Sequence, residues 1–82
     1  MSEVTRRYYL TYPAGRIREP LLCRMYDATK VEFNVRTASV SEQIGLIGLE
    51  LKGEEPAVEK AVAFFQEHGV SVEPIALDIV AG

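Results

Sequence analysis

Hydrophobic and polar positions alternate along three stretches of this chain and recur at helical spacing along two others. From Val4 to Tyr12, Tyr8, Leu10 and Tyr12 fall on one face, and Arg7, Tyr9 and Thr11 on the other. Period two over a β-rich run predicts a half-buried strand. Pro13 to Arg16, "PAGR", is turn chemistry. From Arg18 to Ala28 the pattern changes to Leu21, Leu22, Met25 and Ala28, the 3–4 spacing of one buried helix face, with Pro20 suited to the first turn. Lys30 to Val40, "KVEFNVRTASV", alternates again: Val31, Phe33 and Val35 oppose Glu32, Asn34 and Arg36. After a polar turn at Ser41 to Gln43, Ile44 to Gly53 sets Ile47, Leu49 and Leu51 against Leu46, Gly48, Glu50 and Lys52.

Glu54 to Gly69 carries the strongest helical signal. Val58, Ala61, Val62 and Phe65 keep one face, Pro56 sits in the first turn, and Glu54, Glu55 and Glu59 lie near the positive end of the dipole. His68 in the last turn suits the helix end as a charge, and Gly69 is placed to stop the helix. Val70 to Val80 predicts a last strand, which Pro74 marks as an edge or a bulged one.

The order β-α-β-β-α-β predicts an α+β fold: a ferredoxin-like sandwich with a four-stranded antiparallel sheet and two helices on one face. The other sheet face is then bare. Tyr9, Thr11, Asn34, Arg36, Leu46 and Gly48 are expected there, close together, with Ala38 joining an apolar patch. Asn34 is the residue that strand propensity leaves unexplained, since its amide competes with the ladder. Asn34 and Arg36 together suit a polar ligand, because a guanidinium can hold a carboxylate in two places and an amide both donates and accepts. The bland alternative is a solvated strand face. Leu46 and Gly48 beside them suit a partner surface or scattered surface apolar groups.

Length, charge and cysteine usage narrow the choices. The 82 residues suit one domain, 1–82, with a core of about 4–75 and an apolar tail 76–82. A core this small often gains stability by pairing. Ile75, Leu77 and Ile79 alternate along that tail, which is expected to extend the last strand and supply a homodimer contact. The net charge of -3 hides an uneven distribution. Arg6, Arg7, Arg16, Arg18, Arg24, Lys30 and Arg36 crowd the first forty residues, whereas Lys52 and Lys60 are the only Lys or Arg beyond them. That leaves a dipolar surface or a weak anion patch, and the turn at "PAGR" could present backbone N–H groups to an anion. The acidic balance argues against nucleic acid as a partner. RNA binding in this layout needs aromatics on the third strand, which has none. No stretch is long and apolar enough for membrane insertion, and no signal-peptide core opens the chain, so a cytoplasmic location is expected. The lone Cys23 fits an inert, semi-buried helix position, and no metal or cofactor is expected. No nucleophile–base pair stands out, so an enzyme is not expected; Arg16 or Arg18 with Asn34 only faintly echoes acylphosphatases, whose phosphate loop is missing.

Three stretches resemble the NIL domain. "LTYPAGRIREPLL" looks like its strand–turn–helix start, a Leu-Thr-Phe-Pro run followed by a turn, a proline and two aliphatics. "FNVRTASV" resembles its second strand, with the name-giving Asn-Ile-Leu falling on Asn34, Val35 and Arg36. "IGLIGLELKGEEPAVEKAVAFFQEHGVSVE" is similar to its third strand, second helix and last strand. The likeness spans about residues 4–75 and implies the ferredoxin-like, ACT-related fold predicted above. It implies a regulatory domain of the kind found at the end of methionine-import ABC transporter ATPases, where a homodimer binds methionine and inhibits transport. Similar domains sit beside iron–sulfur modules in sulfur amino-acid metabolism. Asn34 is the ligand position the likeness carries over, with Arg36, Tyr9, Leu46 and Gly48 expected around it. Arg36 departs from the usual aliphatic residue, the tail "IALDIVAG" runs past the usual end, and the 82 residues hold no ATPase, so the domain is not expected to gate a transporter of its own. Two functions follow: an amino-acid sensor, methionine first, or an interaction module docking a protein partner in transport, sulfur metabolism or iron–sulfur function without a ligand.

Overall fold

The computed structural model describes residues 3–16 and 19–75. The order is β1 (Glu3–Pro13), a 3-10 turn (Ala14–Arg16), α1 (Leu21–Thr29), β2 (Glu32–Val40), β3 (Ile44–Glu54), α2 (Glu55–Glu67) and β4 (Ser71–Pro74). The four strands form one antiparallel sheet in the order β2-β3-β1-β4. Both helices contribute to one core. Leu21 and Met25 of α1 and Val58, Ala61 and Phe65 of α2 bury against Leu10, Tyr12, Leu49 and Leu51 of the central strands. This is the expected α+β sandwich. Each helix keeps its predicted face except at Ala28, which shares the face of Leu21 and Met25 but lies in the last turn of α1 and is exposed.

The helix ends follow local chemistry. Lys30 closes α1 in the left-handed region at φ 59°, with its N–H donating to the Tyr26 carbonyl. At the end of α2, Gly69 takes φ 83°, its N–H donates to Gln66, and the Val70 N–H reaches Phe65. That pair of bonds satisfies two orphan carbonyls, and a glycine takes that φ without a Cβ penalty. His68 lies against the Phe64 ring, centroids 4.2 Å apart, with Nδ1 2.8 Å from the Phe64 carbonyl oxygen.

Two features of β2 depart from a plain alternation. It is an edge strand, so Asn34 and Arg36 flank the central pair β3 and β1 instead of belonging to it. The ladder also slips between Val35 and Thr37, leaving Arg36 as a bulge. Before the slip Asn34 pairs with Glu50; after it Thr37 pairs with Gly48 and Ala38 with Ile47. One extra residue reverses the phase of everything downstream. Ala38 therefore lies on the helix side and is not part of the bare-face patch. Of the expected tail strand, Ile75 is the last described residue; its N–H donates to the Arg7 carbonyl. Leu77 and Ile79 lie outside the described residues.

Candidate functional site

On the bare face the centre is polar. Arg7 on β1 and Glu50 on β3 are direct ladder partners, and Arg7 Nε donates to Glu50 Oε2 at 3.0 Å. The bulge aims Arg36 at the same carboxylate, with its guanidinium nitrogen 3.9 Å from Oε2. Glu50 thus sits between two guanidinium groups, and its side chain is only 18% exposed.

A concavity of about 280 Å³ opens beside this group. Arg7, Tyr9, Arg36 and Thr37 contribute its walls, together with Gly48, Leu49 and Ile75. Its floor depends on Gly48. A Cβ built there would lie 2.6 Å from the Thr37 methyl and 3.6 Å from the Tyr9 ring. The volume is at the lower end for small-molecule sites, suited to a ligand of a few heavy atoms.

The structure brings three of the five predicted site residues, Tyr9, Arg36 and Gly48, into this concavity. Asn34 lines a separate dip of about 80 Å³ on the other side of Glu50, with Thr5, Glu32 and Lys52. Leu46 stands on the same face one step along β3, between Thr11 and Ser39, and is 44% exposed. Sequence reasoning passed over Arg7 and Glu50. Both lay on the polar faces of their strands, but only the β1–β3 register shows them opposite one another.

The helix side carries a different hollow. About 290 Å³ opens between the start of α1 and the far end of the β2–β3 hairpin, walled by Tyr12, Leu21, Leu22, Val40 and Ile47. Burial pushes the Tyr12 phenol there up to about 12. Cys23 touches its rim and is exposed rather than semi-buried. Among the described residues nearby, Arg16 is 2.7 Å and Arg24 3.7 Å from Glu19, so both are paired with a carboxylate. Among the described residues no group of three His, Cys, Asp or Glu side chains could hold a metal, and no helix is long and apolar enough to cross a membrane.

The NIL domain profile matches residues 6–74, from the Arg6 end of β1 to Pro74 of β4. The chain belongs to the NIL domain family. A NIL domain is a regulatory module. Among solved structures, the C-terminal domain of an ABC transporter ATP-binding protein from Enterococcus faecalis is similar in fold, with a TM-score of 0.76 at 17% identity over 87% of this chain and 83% of that one. The de novo designed protein Foldit4 shares the fold more loosely, at a TM-score of 0.57 and 15% identity over 93% of this chain and 99% of that one. Among curated proteins none matches the chain.

Proposed function

We propose that this NIL domain is a small-molecule sensor that binds an amino acid, methionine first, on its bare sheet face and works as a cytoplasmic homodimer. The observation that supports this is the charge pattern around Glu50. A free amino acid carries one ammonium and one carboxylate a few ångströms apart. Glu50 offers an acceptor for the first, and Arg36 and Arg7 offer donors for the second. The open floor at Gly48, flanked by Tyr9, leaves space for an aliphatic or thioether side chain. Asn34, in the adjoining dip, can add an amide contact to either charged group.

Domain stability under a panel of free amino acids tests this reading. A ligand that binds only the folded state adds RT ln(1 + [L]/Kd), about 2.7 kcal/mol at a hundredfold excess over Kd. Methionine is expected to raise the melting temperature, and aspartate and lysine to leave it unchanged. If no amino acid shifts melting at millimolar concentration, the domain acts by docking a protein partner instead.

A further inference from the structure

The two hollows of the bare face differ in sign. Arg7 and Arg36 line the concavity of about 280 Å³, and no carboxylate does. Glu32 and Glu50 line the dip of about 80 Å³ against the single cation Lys52, which is itself 3.9 Å from Glu3. The Glu50 side chain separates the two.

The arginines carry more donors than the fold uses. A guanidinium is a fork of several N–H groups. Arg7 and Arg36 both approach the same oxygen, Glu50 Oε2, at 3.0 Å and 3.9 Å. Their other N–H groups have no acceptor among the described residues, and neither does Glu50 Oε1 have a donor. Two guanidinium groups converging on one hollow make an anion site, because they offer paired donors together with positive charge. Here the fold supplies the first anion itself. The β1–β3 register sets Glu50 directly opposite Arg7, and the bulge in β2 brings Arg36 in from the edge. Glu50 is 18% exposed, against 36% for Arg7 and 52% for Arg36, so the carboxylate is the enclosed member and the guanidinium groups are the ones open to a ligand.

Resting on the amino-acid reading above, we infer that Glu50 sets the specificity of this site as an internal counter-ion, closing a two-arginine anion site to any anion that does not bring a cation of its own. A zwitterion gives Oε1 an ammonium and gives the spare guanidinium N–H groups a carboxylate. Charge is then matched on both sides of Glu50. A plain carboxylate, sulfate or phosphate places a second negative charge beside Glu50 and leaves Oε1 unpaired. Such selectivity comes from repulsion built against the wrong ligand as well as attraction for the right one. Without the charge of Glu50, the same arginines form an open site for small oxyanions.

The probes are sulfate, methionine and the desamino analogue of methionine. Each is titrated at constant ionic strength while the Nε–H resonances of Arg7 and Arg36 are followed by NMR. Wild type is expected to bind methionine and neither anion. Glu50→Gln is expected to bind both anions saturably, about tenfold or more tighter than wild type, and methionine more weakly. Adding Arg36→Gln to Glu50→Gln should remove the gained anion binding. Glu67→Gln takes the same charge from α2, on the opposite side of the sheet, and should behave as wild type. Saturable binding of sulfate by wild type at the two arginines overturns the counter-ion role, and that result depends on no variant folding. A folded Glu50→Gln that gains no anion overturns it too, as does a gain matched by Glu67→Gln, which would report net charge alone. If wild type binds methionine and its desamino analogue equally, the sensor reading stands and the counter-ion role falls. If wild type binds no amino acid and Glu50→Gln still gains sulfate, the counter-ion role stands and only the sensor reading falls.

Discussion

Arg7 and Glu50 face each other across the β1–β3 ladder, joined by a 3.0 Å hydrogen bond on the side of the sheet opposite α1 and α2. The pair holds Glu50 largely out of water beside Arg36. Its contribution to folding is expected to be modest, because Arg7 is partly solvated and such pairs yield about 1 kcal/mol or less. Glu50→Gln, which keeps the shape and removes the charge, should lower stability in urea by about 1 kcal/mol and leave the circular dichroism spectrum unchanged.

Gly48 is required by contact, not by backbone angle. A methyl at this position would meet the Thr37 methyl at 2.6 Å, closer than van der Waals contact allows. Gly48→Ala should therefore destabilise the domain by roughly 1–3 kcal/mol, the usual cost of overpacking. Thr37→Ser removes the obstructing methyl. The double variant is expected to recover most of that loss, measured by denaturant midpoint. Equal losses in single and double variants would mean the strain lies elsewhere.

Strand and helix positions were legible in the sequence because periodicity reports burial directly, as at Leu10, Leu49 and Phe65. The bulge at Arg36 was not. No glycine or proline marks it, and strict alternation carries on through the residue types until Ala38, which it places on the wrong side. Site residues were read strand by strand, and three of them, Tyr9, Arg36 and Gly48, line one concavity. The link between Arg7 and Glu50 needed strand order and register, which are long-range properties. Asn34 stands out by residue type in a strand, yet the β2–β3 register pairs it with Glu50 and so sets it across Glu50 from the main concavity, which Arg36 and Thr37 of the same strand reach.

Alkaline pH should expose the burial of Tyr12. Its phenol is pushed up to about 12 by desolvation, against 10.0 in the unfolded chain, and burial raises the half-buried Tyr8 as well. The neutral form is the one the fold prefers. The unfolded chain therefore releases its proton first, and stability present below pH 10 falls as pH rises from 10 toward 12, by roughly 2 kcal/mol for Tyr12. Tyr12→Phe should flatten that decline in denaturant titrations at pH 9 and 11.5.

Cys23 should be dispensable. It is exposed on α1, so Cys23→Ser is expected to change stability by no more than about 0.5 kcal/mol. Thermal melting of the variant checks this.

The central claim is that the polar centre of the bare face receives the charged groups of a free amino acid. Titration calorimetry of methionine into wild type and Glu50→Gln tests it most directly, because Glu50 faces the concavity's arginines from a central strand and lies off the β2 edge. Losing a charged hydrogen-bond partner costs about 1.5–3 kcal/mol, a Kd weaker by roughly tenfold to over a hundredfold. The account predicts saturable binding by wild type and that loss in the folded variant. Equal affinity for the two proteins, or no heat from wild type at millimolar methionine, would contradict it.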